Sequence, residues 1–312
     1  MIKKKLLILH PGFPKAATTL IQSHFNNFKD IENLYYEEKL TKYNDITNKL
    51  FSLKQSNNKN EKNIKYFIEL INKNKNHNKS YIFSYEGIFN FYRFNKNQNL
   101  HNLFVIINEL KKNFRIKILI TLRNQIDLFN SLYISHYGIL YDKYPTADDF
   151  IKSILYNDNF DLYDYNFLSK FIYEKTNIKA NLIFVEDIAY EAINYEKQLI
   201  NIIEKKIIKK LEYKKINKAI RAGDHYIVFS GRSFFLLSKF NTFLKKKIYF
   251  FEFYTLNIVS FIKKFFPQKI IPTSSLKTNL EVLQKYKNSN KLLFQQLEKD
   301  KKNKIYKKYF DV

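Results

Sequence analysis

The chain has 312 residues, of which 45% are hydrophobic and 17% aromatic, so a sizeable core is expected and global disorder is excluded. Its 54 Lys and Arg residues against 29 Asp and Glu give a formal net charge of +25. It has no cysteine, which excludes disulfides and thiolate metal sites.

A charge of this size raises the expectation of a nucleic-acid-binding protein. Lys, Asn, Ile, Tyr and Phe are all abundant, however, and only five arginines occur, which favours a general compositional bias. The positive charge is also spread along the whole chain. We therefore expect no specific nucleic-acid partner, although the charge should attract nucleotides, acidic glycans or an anionic membrane surface.

Short apolar runs alternate along the chain with stretches of helical periodicity. The predicted strands are Leu6–Leu9, Tyr81–Ser84, Ile116–Leu122 and Asn181–Val185. The predicted helices include Thr18–Phe28, Leu100–Phe114, Ile126–Tyr137 and Tyr195–Ile208. This alternation is typical of βαβ units, so we predict an α/β fold with a mainly parallel sheet flanked by helices on both faces.

No linker divides the chain, so we predict one domain over residues 1–312. Residues 1–220 would form the α/β core, and residues 221–312, without a clear strand, a mostly helical extension. The apolar run Leu6–Leu9 is too short for a signal peptide and predicts a buried strand. Tyr249–Ile262 comes closest to a membrane span, but it is short and contains Glu252. A buried helix is favoured there over a membrane-surface helix.

A phosphate-binding loop is predicted directly after the first strand. The chain has only five prolines and five glycines, yet Pro11, Gly12 and Pro14 lie close together here. The following residues open a helix, whose free N–H groups and dipole favour an anion. Lys15 adds a cation, and two threonines add hydroxyl donors. An ordinary strand–turn–helix with a threonine cap is the alternative.

A second anion-binding position is predicted where the strand Ile116–Leu122 ends. Arg123 stands at the strand end and Ser131 about two turns into the next helix, so both could reach one anion. In a chain that uses lysine almost everywhere, a retained arginine suggests a need for its bidentate fork. A strand-end salt bridge is the alternative for Arg123.

Together these segments resemble the nucleotide-binding motifs of sulfotransferases that use 3′-phosphoadenosine 5′-phosphosulfate (PAPS). The first resembles their 5′-phosphosulfate loop, G-x-P-K-[TAC]-[GA]-T-[TS]. The second, from Arg123 to Tyr133, resembles their 3′-phosphate motif, with Gln125 in place of proline. No Gly-Lys-[Ser/Thr] follows Gly12, so the loop differs from that of nucleoside-triphosphate-binding proteins. Ala17 stands where many family members have glycine, which predicts a negative φ there.

The resemblance implies a nucleotide-kinase-like sulfotransferase fold with PAPS as co-substrate and no metal. It implies that the first motif binds the 5′-phosphosulfate and that the arginine and serine of the second motif hold the 3′-phosphate. The cofactor-binding residues that it gives are Gly12, Phe13, Pro14, Lys15, Ala16, Ala17, Thr18, Thr19, Arg123 and Ser131.

Sulfuryl transfer is an in-line displacement that builds negative charge on the leaving oxygen. We expect Lys15 to stabilise that charge. Glu86 is the first candidate for the general base, because the strand before it should end beside the loop; a strand-end ion pair is its alternative. His10 and His136 are the next candidates. No His, Asp or Glu cluster in the sequence has metal-ligand spacing.

Two weaker resemblances concern later segments. Arg221, followed by Gly223-Asp224, and Arg232 are similar to a loop that closes over the nucleotide in cytosolic sulfotransferases, with a surface turn as the alternative. Leu182–Ile188 resembles a later strand of the family that ends in Glu-Asp-Leu.

Bacterial members that resemble this chain often modify cell-surface or capsular saccharides, so the resemblance implies a saccharide or glycolipid acceptor. We expect a cytoplasmic enzyme and leave open peripheral contact with the inner face of an anionic membrane. A P-loop-like nucleotide kinase is one alternative, but it should contain Gly-Lys-[Ser/Thr]. A basic nucleic-acid-binding protein and a PAPS-binding scaffold without activity are the others.

Overall fold

The computed structural model describes residues 4–33, 62, 65, 69, 79–85, 89, 96–140, 142–156, 161–211, 213, 221–222, 225–229, 268–297 and 305–311. The strands are β1 (Lys5–Pro11), β2 (Ile31–Asn33), β3 (Ser80–Tyr85), β4 (Phe114–Leu122), β5 (Ala180–Phe184), β6 (Arg221–Ala222), β7 (His225–Phe229) and β8 (Gln268–Pro272). The helices are α1 (Thr18–Phe25), α2 (Lys96–Leu110), α3 (Gln125–Ser135), α4 (Tyr137–Leu140), α5 (Ala147–Leu155), α6 (Tyr165–Thr176), α7 (Val185–Tyr190), α8 (Ala192–Ile203) and α9 (Leu276–Gln296). A 3₁₀ turn follows at Lys307–Tyr309.

The chain divides into two compact units. The first consists of Met1–Asn124, Asp158–Ile216 and Tyr286–Asp311, and the second of Gln125–Asn157, Asn217–Lys285 and Val312. The predicted single domain, with its core in residues 1–220 and its extension in residues 221–312, stays a prediction.

The sheet of the first unit has the strand order β2-β3-β1-β4-β5, and all neighbouring strands are parallel. In the central part, Leu9 of β1 pairs with Phe83 of β3 and Ile118 of β4. The residues Leu6–Leu9 are all buried. A continuous apolar run of this kind is what a central parallel strand needs, because both of its faces are covered.

Helices of the first unit cover this sheet. One face packs against α1, α7 and α8 through a cluster that includes Leu6, Ile8, Ile21, Phe25, Ile82, Leu119, Ile183, Ile188, Tyr195 and Leu199. The helices α2 and α6 pack on each other through Phe104 and Phe171, with ring centroids 5.3 Å apart, and contact β4 and β5. Leu7 and Leu9 point to the face opposite Leu6 and are equally buried.

The topology makes one edge of this sheet a natural ligand site. The chain leaves β1 toward β2 on one side of the sheet, and leaves β4 toward β5 on the other. Neighbouring strands with diverging connections form a switch point, and ligands of open α/β sheets bind in the crevice outside the carboxyl ends there. Both predicted anion-binding motifs begin at this point, after Pro11 and after Leu122.

The second unit corrects one prediction. Residues from Arg221 onward were expected to contain no strand, but β6, β7 and β8 form a three-stranded antiparallel sheet. His225–Phe229 is rich in aromatic and β-branched residues, as a strand requires, and Ile227 pairs with Ile270. The same unit contains α5, whose first turn is closed by a capping box between Thr146 and Asp149.

The predicted strands and the helices between them are confirmed, with differences at their ends. The four predicted strands correspond to β1, β3, β4 and β5, and the four helices to α1, α2, α3 and α8. The three-residue strand β2 was not predicted. The run Tyr249–Ile262 lies outside the described residues. Within the part of the chain that the structure describes, no helix is long and apolar enough to cross a membrane.

Candidate functional site

The loop between β1 and α1 is a tight turn of unusual backbone conformation. Lys15 has a φ of 69° and Ala17 a φ of 57°, both in the left-handed region, whereas φ is not positive at Ala16. The prediction of a negative φ at Ala17 is therefore wrong. Alternation of hand between consecutive residues turns their N–H groups toward one side, which forms an anion-binding concavity. A left-handed alanine costs about 1 kcal/mol, and strain of this kind clusters at functional sites.

The N–H groups of this loop are available to a ligand. The N–H of Ala16 donates to the carbonyl of Phe13, 3.2 Å away, and the N–H of Ile21 donates to Ala17. No described residue accepts a hydrogen bond from the N–H of Lys15, Ala17, Thr18 or Thr19, and no side chain caps α1. Free donors at a helix start carry partial positive charge, so this loop suits a phosphate or sulfate group.

Contacts within the loop fix its shape. A Cβ atom at Gly12 would lie 2.6 Å from Thr18 Cγ2, so only glycine allows the helix to start this close to the strand. The hydroxyl of Thr18 donates to the carbonyl of Phe13 at 3.2 Å and therefore holds the loop itself. Phe13 is buried and stacks on Phe89, with ring centroids 4.7 Å apart. Lys15 and Thr19, in contrast, are exposed.

Within the first unit, the structure brings Arg123, the first residue of the second motif, into contact with the loop. Arg123 follows β4, and its Nη1 donates to the carbonyl oxygen of Lys15 at 2.9 Å. Arg123 makes no ion pair with any carboxylate among the described residues, and the same is true of the Lys15 ammonium. The strand-end salt bridge considered for Arg123 is thus not formed with any described residue. Two cations without a described anionic partner lie at one end of the sheet.

Arg123 and Asn124 are held by Tyr165 and Lys308, which the sequence did not single out, and by Glu186 of the segment Leu182–Ile188. The buried hydroxyl of Tyr165, at the start of α6, donates to the carbonyl of Arg123 at 2.7 Å. The side-chain amide of Asn124 donates to the carbonyl of Lys308 at 2.6 Å, and its N–H approaches Glu186 Oε1 at 3.5 Å. Asp164 caps α6 immediately before Tyr165, and this helix start is the only sequence signal that marks the region.

Glu186 and Asp187, at the start of α7, anchor the C-terminal turn. Glu186 accepts a hydrogen bond from the Tyr309 hydroxyl at 2.9 Å and pairs with the Lys308 ammonium at 3.1 Å. Burial raises the pKa of the Glu186 carboxyl, although the Lys308 charge and these hydrogen bonds act in the opposite direction. The buried Asp187 accepts a hydrogen bond from Tyr306. The segment that resembled a Glu-Asp strand end therefore has a bracing role in this unit.

His10 lies in a buried polar layer beneath the loop. Its Nδ1 is 2.8 Å from the Ser84 hydroxyl and its Nε2 is 2.9 Å from the Thr121 hydroxyl, so it links β1 to β3 and β4. Gln22 of α1 donates to Ser84 as well, at 2.9 Å. Burial lowers the pKa of His10 to about 3. A fully buried neutral ring with both nitrogens engaged is not placed to take a proton from a substrate.

The other predicted residues are distributed as follows. Ser131 lies half-buried on α3, in the second unit. His136 is also in that unit, and its Nδ1 is 2.8 Å from the Ser135 hydroxyl and 3.0 Å from the carbonyl of Leu132. Glu86 and Arg232 lie outside the described residues, and Arg221 is described only as a backbone position in β6. Glu86 directly follows Tyr85, whose Cα pairs with that of Pro11.

No protein-family model matches the chain, and no curated protein matches it significantly in sequence. Within the described ranges, no group of three or more His, Cys, Asp or Glu side chains could hold a metal ion.

Proposed function

We propose that this protein is a sulfotransferase that transfers the sulfuryl group of PAPS to a hydroxyl or amine of a saccharide or glycolipid. The observation that carries the proposal is the hydrogen bond between Arg123 Nη1 and the Lys15 carbonyl. It joins the loop that resembles the 5′-phosphosulfate loop to Arg123, the first residue of the segment that resembles the 3′-phosphate motif. PAPS carries anionic groups at both positions of one ribose, and two adjoining anion sites suit such a ligand.

The loop supports binding of the 5′-phosphosulfate. The free N–H groups of Lys15, Ala17, Thr18 and Thr19 would donate to its oxygens, and the helix dipole of α1 favours their negative charge. A nucleoside triphosphate would draw on a Gly-Lys-[Ser/Thr] sequence, which the chain lacks after Gly12. These features favour the PAPS reading over that of a nucleotide kinase.

Arg123 supports binding of the 3′-phosphate. Its guanidinium has five N–H donors, of which one is directed to Lys15. The remaining donors could form the paired hydrogen bonds that arginine makes with phosphate. Ser131, which the resemblance also assigns to the 3′-phosphate, lies on α3 in the second unit.

In the proposed reaction, the acceptor oxygen or nitrogen attacks sulfur and the bond from sulfur to the bridging phosphate oxygen breaks. The acceptor's proton passes to a base, and adenosine 3′,5′-bisphosphate leaves. Lys15 would stabilise the charge that develops on the bridging oxygen. Glu86 remains our candidate for the base, because it follows Tyr85 in the sequence and Tyr85 pairs with Pro11 of β1. The engaged nitrogens of His10 disfavour that residue as the base.

A nucleotide-binding assay tests the proposal. Adenosine 3′,5′-bisphosphate should raise the melting temperature of the full chain by mass action, while ATP and adenosine 5′-monophosphate should raise it much less. Equal shifts with all three ligands would refute the assignment of a 3′-phosphate site, and so would the absence of any shift.

A second assay tests the chemistry and identifies the acceptor. The protein is incubated with PAPS labelled in its sulfur and with glycans or glycolipids from a lysate. A product that gains the label and the mass of one SO₃ group is expected. Omission of PAPS and the Lys15→Ala variant provide controls. Nucleotide binding with no transfer to any acceptor fraction would favour the scaffold without activity.

A further inference from the structure

We propose that Tyr165 and the C-terminal turn, residues 305–311, are positioning elements that fix the direction in which Arg123 presents its guanidinium to the nucleotide. The inference rests on the proposed function, because it assigns Arg123 to a phosphate of the ligand. It adds residues from two distant parts of the sequence to the site, neither of which belongs to the motifs themselves.

Tyr165 provides the first hold on Arg123. Its side chain is buried and its hydroxyl donates to the Arg123 carbonyl at 2.7 Å. The same ring packs edge-on against Phe13 of the loop, with centroids 5.6 Å apart. One side chain therefore contacts both motifs, so its position is tied to the loop through packing and to Arg123 through a hydrogen bond.

The C-terminal turn provides the second hold, through the next residue. Asn124 donates its side-chain amide to the Lys308 carbonyl at 2.6 Å, and Glu186 Oε1 lies 3.5 Å from the Asn124 N–H. Glu186 in turn is bound to the turn by Tyr309 and Lys308. The turn thus reaches Asn124 directly through its backbone and indirectly through the Glu186 carboxylate.

The turn itself is rigid enough to act as a reference point. Tyr306, Tyr309, Phe294 of α9 and Phe184 of β5 form a buried aromatic cluster, with ring centroids 5.1 to 5.9 Å apart. Aromatic groups packed this closely lose their freedom to change rotamer. The backbone at Arg123 and Asn124 is therefore held from β4, from α6 and from the C-terminus.

The arrangement fixes the direction of the Arg123 guanidinium, and through that direction it affects the affinity for the nucleotide. The Arg123 guanidinium makes one hydrogen bond to the described residues, to the Lys15 carbonyl, and that bond alone leaves a long side chain several orientations. The Arg123 carbonyl and the next residue, Asn124, are held in place, so the side chain can adopt fewer orientations before the ligand binds. Pre-organisation of this kind improves affinity by removing an ordering cost from the binding step.

The test compares two ligands that differ in one phosphate. Affinities for adenosine 3′,5′-bisphosphate and adenosine 5′-monophosphate are measured by calorimetry for the wild type, Tyr165→Phe and Tyr309→Phe. Tyr163→Phe is the matched control, because Tyr163 is equally buried and also packs against Phe13, at 5.8 Å. We expect Tyr165→Phe to weaken the bisphosphate by about tenfold, Tyr309→Phe to weaken it less, and the monophosphate to be nearly unaffected.

A double-mutant cycle separates positioning from general stability. In an Arg123→Lys background, Tyr165→Phe should weaken bisphosphate binding no further, because its effect passes through the guanidinium. Additive losses, equal losses for both ligands, or unchanged affinity in both tyrosine variants would each overturn the inference while leaving the proposed function intact. If Tyr165→Phe does not fold, Tyr309→Phe carries the same comparison. A wild type that binds both ligands equally would refute the proposed function and the inference together.

Discussion

Two arginines lie near opposite ends of the strand β4, and they differ in whether they form an ion pair. Arg115, near the start of the strand, binds both carboxylate oxygens of Glu204, and Lys117 pairs with the same carboxylate at 2.7 Å. Arg123, directly after the strand, donates to a backbone carbonyl and pairs with no described carboxylate. At the amino ends of the strands, Arg115 and Lys117 therefore share one internal carboxylate, whereas at the carboxyl ends the Arg123 guanidinium has no carboxylate partner among the described residues.

The comparison also separates two kinds of carboxylate. Glu204 is partly exposed, and its hydrogen bond from Arg115 and the nearby Lys117 lower its pKa from 4.5 to about 2. Glu186 is buried, and desolvation raises its pKa despite Lys308. An exposed pair gains from attraction at little desolvation cost, but a buried carboxylate loses hydration that one cation does not replace. Glu186 is therefore better explained by the residues that it holds in place than by its contribution to stability.

Replacement of one lysine at each end of the parallel strands, Lys15 and Lys117, should give the largest difference in turnover. Lys15→Ala should lower the turnover of PAPS by at least about a hundredfold, because charge stabilisation in the transition state is lost. Lys117→Ala removes a cation of equal charge that is paired with Glu204, and should leave turnover unchanged. Both variants are assayed for kcat and KM, with melting temperature as the check on folding. Normal turnover in Lys15→Ala would disprove the sulfotransferase assignment.

Conservative replacement of each arginine sharpens the comparison. Arg123→Lys keeps the charge and loses the fork, so affinity for adenosine 3′,5′-bisphosphate should fall at least tenfold, or about 1.4 kcal/mol. Arg115→Lys is the matched control and should not change that affinity. Calorimetry on both variants decides the question. Equal affinities would reduce Arg123 to a structural residue that holds the Lys15 carbonyl.

The stability that the ion pairs of Glu204 contribute should depend on pH. The folded pKa of Glu204, about 2, lies below its ordinary 4.5, so its stabilisation is fully present above pH 4.5 and disappears as the pH falls toward 2. Because Glu204 is partly exposed, the expected loss is below about 1 kcal/mol. In Glu204→Gln, the urea midpoint of unfolding should change less between pH 4.5 and pH 2 than it does in the wild type. Glu109→Gln is the control, because Glu109 forms an exposed pair with Lys112. An unchanged pH profile in Glu204→Gln would contradict the lowered pKa.

The smallest expected effect is the dependence of stability on salt when the pair between Arg115 and Glu204 is removed. Arg115→Ala should destabilise the fold by less than about 1 kcal/mol at low ionic strength and by less still at 1 M salt, because the pair with Glu204 is partly exposed. Nucleotide affinity should be unaffected. Urea unfolding at two salt concentrations measures the difference. A large destabilisation that salt does not reduce would show that the aliphatic part of Arg115 contributes packing instead.

The sequence predicted the central fold because its signals are local. Continuous apolar runs such as Leu6–Leu9, followed by turn residues, are typical of buried strands in a covered parallel sheet. The strands β1, β3, β4 and β5 correspond to such runs. The pairing of β7 with β8 joins segments separated by residues 230–267, and no local pattern announces such a pairing. The strand β2 has only three residues, too few for an alternation to be recognised.

The sequence predicted the cationic residues of the site but not the residues that hold them in position. Lys15 and Arg123 could be found because each follows a strand in a recognisable motif. The hydroxyl of Tyr165 and the carbonyl of Lys308 meet Arg123 and Asn124 only through the tertiary fold. The left-handed Ala17 was missed because alanine normally avoids that region, and only the surrounding loop contacts enforce it.

The burial of Phe13 has a consequence for how this loop opens. A loop that is anchored only at its two ends can move independently of the domain that carries it. In this loop the second residue, Phe13, is buried in the core and packs against Phe89, Tyr163 and Tyr165. Lifting the loop from its place would expose that ring to water and break the aromatic packing around it. The loop and the hydrophobic interior therefore form one cooperative unit. The buried amide of Ala16, which donates to the Phe13 carbonyl, should exchange with solvent deuterium only through openings nearly as costly as global unfolding.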